Sequence, residues 1–179
     1  MSPVPLHAIT VAGHDGPGII AQTTGILADL GLNLEDCTTT LLRGHFALIL
    51  VCQGEVSQTT IEDALAGMGA DHAFTVRVSD MPREPVSIEG TSWVVTVHGG
   101  DRPGIVSSVV AELAAVGGNI TDLFTRLAGD LYLLVVEVDL PKDADPEDVR
   151  ETLVGLGDRL GVGVSLHEVA SDDAGPRYL

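Results

Sequence analysis

The 179-residue chain is 45% hydrophobic and sets nine basic residues against 26 acidic ones, a formal charge of −17. Both halves are acidic, −7 over residues 1–80 (two Arg against nine acids) and −10 over 81–179 (seven basic against seventeen acidic), so neither can neutralise phosphates and no direct nucleic-acid contact is expected. The opening MSPVPLHAIT has neither a basic n-region nor an apolar h-region, and the longest apolar run, FALILVC at 46–52, is far too short to span a bilayer, so a soluble cytoplasmic protein with no membrane partner is expected.

Residues 6–12, LHAITVA, predict a strand that runs into the glycine-rich loop GHDGPGII at 13–20. Ile19, Thr23, Ile26, Leu27 and Leu30 then recur at helical spacing, and Gly31 is placed to stop that helix as a left-handed residue. Two strands follow, 33–42 and 45–53, around an Arg43-Gly44 turn. Phe46, Leu48 and Leu50 alternate with Ala47, Ile49 and Val51, which makes both faces of the second strand apolar and predicts helices over one and a partner sheet or subunit contact over the other. Cys37 and Cys52 fall on this hairpin, too few for a disulfide framework or a zinc site; buried free thiols are expected, with their proximity left open. A helix from a Thr59 to Glu62 capping box to about Met68, then a strand at 72–78, complete the half.

The same order returns at a constant offset of 86. Thr10, Val11, Gly13, Asp15, Pro17, Gly18, Ile19, Leu27, Gly31, Asn33 and Asp36 all meet identical residues in the second copy, whose loop reads GGDRPGIV at 99–106. Its first strand is expected at 92–98 and its helix on Val106, Val109, Val110, Leu113 and Val116, ended by Gly117. Strands at 119–128 and 131–139, joined by Gly129-Asp130, precede a helix with Asp145 as N-cap and Pro146 at its first position, and a strand at 162–169. Such a period is one small domain long. The chain therefore divides into domains at 1–80 and 92–170, a proline-bearing linker at 81–91 and a flexible tail at 171–179. Each half reads β-α-β-β-α-β, the α+β ferredoxin-like pattern of an antiparallel sheet with helices on one face.

The duplicated loop invites a ligand. Gly13 and Gly18 have the glycine spacing of a phosphate loop, but Ile19 and Ile20 stand where Lys and Ser or Thr are required. As a strand-to-helix turn with Pro17 or Pro103 at the first helical position, the loop leaves the amides of Gly18 and Ile19, and of Gly104 and Ile105, at a helix N-terminus that attracts a carboxylate. Asp15 and Asp101 could equally cap their own helices. With Asn33 and Asn119 opening the next strand, the residue types suit a zwitterion: ammonium to Asp, carboxylate to amides, Asn to either. No cofactor or metal is expected, and no catalytic residue: the six His have no ligand spacing, and no nucleophile motif is present, though His14 lies in the first loop.

A D-x-P-G-I loop after the first strand, then G-x-N-[LI], inside a duplicated β-α-β-β-α-β frame, resembles the ACT domain, a regulatory module of amino-acid metabolism. Two such modules over about 5–79 and 91–170 resemble the glycine cleavage system transcriptional repressor family. The resemblance implies ligand contacts at Gly13, Asp15 and Asn33, and at Gly99, Asp101 and Asn119, where amino-acid-binding relatives can carry Asn and His in place of the Asp and Gly. It also implies a non-enzymatic regulator. Its expected partners are a small amino acid, glycine or serine first, a second copy of the chain in a homodimer, and a transcription factor or metabolic enzyme restrained by protein contact. A ligand-free interaction module is the alternative.

Overall fold

A computed structural model describes residues 4–70, 74–82 and 90–169. It divides into two compact units whose boundary falls between the second and third of these segments. Unit one runs β1 (Leu6–His14), α1 (Ile19–Asp29), β2 (Asn33–Leu42), β3 (His45–Gln53), α2 (Gln58–Ala66), a 3₁₀ turn (Gly67–Ala70) and β4 (Thr75–Met81). Unit two repeats it as β5 (Gly90–Gly100), α3 (Ile105–Ala115), β6 (Asn119–Ala128), β7 (Leu131–Pro141), α4 (Pro146–Leu160) and β8 (Val162–Glu168). The sheets are antiparallel at every pairing, ordered β2-β3-β1-β4 and β6-β7-β5-β8. This is the ferredoxin-like α+β arrangement, built twice.

Local chemistry sets the turns. Arg43 and Gly44 both take positive φ, 51° and 82°, as a type I′ hairpin requires, whereas in the second hairpin only Gly129 does, at 63°. Each first helix ends in a Schellman motif. Gly31 (φ 77°) donates to Ala28 O and Leu32 to Leu27 O, and Gly117 (φ 74°) with Gly118 repeats this on Ala114 and Leu113. One stripe of each helix enters the core: Ile19, Thr23 and Leu27 in α1, Ile105, Val109 and Leu113 in α3. The expected α3 stripe was rotated, since Val116 is 37% exposed while Ile105 is buried. Thr23 fits inside because its hydroxyl donates to Ile19 O at 2.8 Å.

Several expectations shift. The α2 cap is Ser57, which accepts from Thr60 N at 3.1 Å, while Glu62 accepts from Val78 N at 3.2 Å instead of closing a capping box. β4 extends to Met81 because Leu6, His7 and Ala8 of β1 pair with Met81, Asp80 and Ser79. Of the expected linker, 83–89 lies outside the described residues, as do the tail at 171–179 and the first residues of the 72–78 strand. On β3, Leu48 and Leu50 are buried against the helices as expected, and Ile49 on the other face is 46% exposed within the single chain. Cys37 is exposed, not buried. Cys52 is buried, and burial first, then the Cys37 thiol and the Glu35 carboxylate, push its pKa up to about 11, so it is a poor nucleophile.

Two glycines of α4 have opposite steric surroundings. A Cβ on Gly155 would meet nothing closer than an Arg159 nitrogen at 4.0 Å, whereas one on Gly157 would meet Val164 Cγ2 at 2.7 Å and Val162 O at 2.8 Å. Gly155→Ala is expected to stabilise by about 0.5–1 kcal/mol through helix propensity. Gly157→Ala should destabilise, because β8 must move away; thermal melts of the two variants check the opposite signs.

Candidate functional site

Gly18 and Gly104 adopt φ/ψ of 88°/−3° and 94°/−7°. Those are the angles of the third residue of a type II turn, with Pro17 or Pro103 supplying the second. The glycine, not the proline, is therefore the N-cap in both helices. The chain must reverse at that residue, and proline's fixed negative φ cannot do it. Proline sits one residue outside the helix rather than at its first position.

Neither helix start receives a side-chain cap. The amides of Ile19, Ile20 and Ala21, and of Ile105, Val106 and Ser107, have no acceptor within their helices. Gly18 O and Gly104 O accept the first helical bonds, from Gln22 N and Ser108 N, at 2.9 Å each. Asp15 and Asp101 stand exposed beside them without closing the helix from within. Of the two roles read for these aspartates, self-capping is the one not adopted.

The turns are held differently. In the first, Asp15 N donates to Gly44 O at 3.0 Å, and the His14 ring stacks on His45, centroids 5.2 Å apart, so the loop leans on the β2–β3 hairpin. Position 16 is Gly in the first copy and position 102 is Arg in the second. Arg102 Nη1 donates to Leu160 O at 3.1 Å, at the C-terminus of α4, where a cation also meets the negative end of the helix dipole. Neither tether was read from sequence; the inequality of positions 16 and 102 was the available signal.

Gly13 and Gly99 are not loop residues but the ends of β1 and β5, paired with Phe46 and with Tyr132 and Val162. Gly99 has a packing reason as well, since a Cβ there would meet Val162 Cγ1 at 2.7 Å. Asn33 and Asn119 open β2 and β6, each followed by a bulge. Asn33 pairs with Gln53, which pairs with Leu6, while Phe46 pairs with Gly13. Asn33 is thus level with the start of β1, roughly 25 Å along the strands from the D-x-P-G turn at about 3.3 Å per residue. Asn119 is level with Ser92 through Asp139, again at the end away from its turn. Within a domain the geometry brings Gly13, Asp15, Gly18 and Ile19 together, and Gly99, Asp101, Gly104 and Ile105, but leaves each Asn apart. Shallow surface depressions lie along α4, beside Asp148, Glu151, Thr152 and Arg159.

The Arg102 tether is specific to the second turn. Arg102→Ala is expected to cost up to about 1 kcal/mol and to accelerate amide hydrogen exchange in peptides covering 99–106, while peptides covering 13–20 stay unchanged.

Comparison with known proteins gives the family of both domains. The ACT domain family model matches twice, at residues 8–79 and 91–167. The chain is 27% identical over 172 residues to the glycine cleavage system transcriptional repressor of Escherichia coli, covering 90% of this chain and 88% of that one. It is 43% identical over 75 residues to a UPF0237 protein of Methanopyrus kandleri, covering 41% of this chain and 83% of the relative. A crystal structure of an unknown protein from Galdieria sulphuraria superposes with a TM-score of 0.78 at 27% identity, covering 93% and 99% of the two chains. The chain belongs to the ACT domain family, carries the domain twice, and is an ACT regulatory protein related to the glycine cleavage system transcriptional repressor.

Proposed function

We propose that this protein is a non-enzymatic, cytoplasmic regulator of amino-acid metabolism that senses a small amino acid, glycine or serine first, and passes the signal through protein contacts to a transcription factor or metabolic enzyme. The observation that carries it is the repeated turn: in both domains an Asp stands beside a helix start that no side chain caps. Backbone N–H groups there favour an α-carboxylate, and the Asp an α-ammonium. The similarity to the Escherichia coli repressor along 172 residues supports a role in transcriptional regulation. The chain's acidity supports action on a protein rather than on DNA.

Ligand binding would act by differential affinity for two states of the chain or its assembly. Asp15, Gly18 and Ile19, with Asp101, Gly104 and Ile105, are the residues proposed to hold it; Gly13 and Gly99 shape the approach. Asn33 and Asn119 contribute only where another copy of the chain presents them.

A second reading has its own observation. Leu41, Leu42 and Ile49 in the first sheet, and Phe124, Leu127 and Leu131 in the second, are each at least 44% exposed, which suits an interaction module that dimerises without a ligand.

Thermal shift of the full chain against glycine, serine and the other amino acids separates the two. At about 100 times its dissociation constant a ligand adds roughly 2.7 kcal/mol, a rise of several degrees that Asp15→Ala should reduce and Asp15→Ala combined with Asp101→Ala should remove. Loss in Asn33→Ala as well indicates a site shared between two copies. No rise with any amino acid overturns sensing and leaves the interaction module.

A further inference from the structure

His14 and His45 have no part in the function proposed above. His14 ends β1, His45 begins β3, and the two are direct partners in the antiparallel register. Both are exposed, and their rings lie 5.2 Å apart between centroids with an interplanar angle of 30°. At Zn–N distances of about 2.0–2.1 Å, two imidazoles on one tetrahedral ion place their centroids roughly 5 Å apart. The backbone thus already sets the separation that joint ligation needs. What remains is a turn of each ring about χ2, a broad torsion in histidine.

We propose that His14 and His45 form a two-histidine site for a borderline transition-metal dication, Zn²⁺, Ni²⁺ or Cu²⁺, which fastens the first D-x-P-G turn to the β2–β3 hairpin. Imidazole suits these ions, and affinity is expected to be highest for Cu²⁺. The first domain is acidic, with nine Asp and Glu against two Arg over residues 1–80, which favours a cation. Among the described residues no three His, Cys, Asp or Glu side chains gather round one point. The ion therefore keeps open positions filled by water or by an added chelator, and binding is reversible. The turn-hairpin link it reinforces exists already, as the Asp15 N to Gly44 O bond.

The duplication supplies an internal control. At the offset of 86, positions 14 and 45 become Gly100 and Leu131, partners in the same register, so the second domain has the frame without the ligands. Neither position opposes a histidine: Gly100 has open space where a side chain would go, and Leu131 is 53% exposed.

Isothermal titration of the full-length chain with ZnCl₂, NiCl₂ and CuCl₂, each in a non-chelating buffer, tests this. One equivalent per chain is expected, with affinity falling about tenfold or more in either His14→Ala or His45→Ala. Gly100→His combined with Leu131→His should add a second equivalent. Far-ultraviolet circular dichroism checks that each variant is folded, and His14→Gln, on the surface, serves if His14→Ala is not. Binding unchanged by loss of either histidine, or no binding of any of the three ions by wild type, overturns the site.

Discussion

Each domain depends on a reversal of the chain that only glycine makes cheaply. The first strand must feed a helix that returns across the sheet, and the direction changes at Gly18 or Gly104, at φ of 88° and 94°. An L-residue held there costs about 1–2 kcal/mol. The other end of each helix has the same need, met by Gly31 and Gly117. Bracketed this way, α1 and α3 have a fixed length, and their i, i+4 stripes face the central strands. Ile19 and Leu27 then meet a sheet surface of Ile9, Val11, Leu48 and Leu50, and Ile105 and Leu113 meet Val95, Val97, Leu134 and Val136. Fully burying each such side chain contributes about 1.5–3 kcal/mol, which an incorrect turn would forfeit together.

The turn that builds the fold also leaves the amides exposed. Because the N-cap is a glycine, no side chain is available at that position to satisfy them, and the nearby Asp does not reach back to do so. A serine or aspartate cap, as Ser57 and Asp145 provide for the second helix of each domain, would close the site from within. The contrast lies inside one chain. Second helices are sealed by side chains, whereas first helices are left for solvent or a ligand.

The legible part of this structure was what local chemistry dictates. Strands 33–42 and 45–53, the left-handed Gly31 and Gly117 and the Asp145-Pro146 start of α4 all follow from turn residues and alternation. So did the domain family, since the repeat displays its pattern twice. What escaped depended on register or on distant partners. The distance between Asn33 and Asp15 follows from Leu6 and Asn33 both being level with Gln53, which no spacing along the chain reveals. Ser57 displaced Thr59 because a cap is chosen by which hydroxyl reaches a free amide. Arg102 finds its acceptor 58 residues away. Glu62 spends its carboxylate on an edge amide of β4, a bond that a capping pattern cannot distinguish from its own.

Duplicated sequence did not give duplicated chemistry, and the differences concentrate around the turns. Positions 14, 16 and 45 are His, Gly and His in the first domain; their counterparts are Gly100, Arg102 and Leu131. The substitutions reassign the turn's anchor from the hairpin to the C-terminus of α4. The backbone angles of the two turns still agree within 6° in φ and 4° in ψ, from 88° and −3° against 94° and −7°. The shared Pro-Gly pair thus takes the same conformation with either anchor. Turns of equal shape held by different anchors would bind the same ligand with unequal affinity wherever one anchor leaves more conformational entropy to be lost on binding.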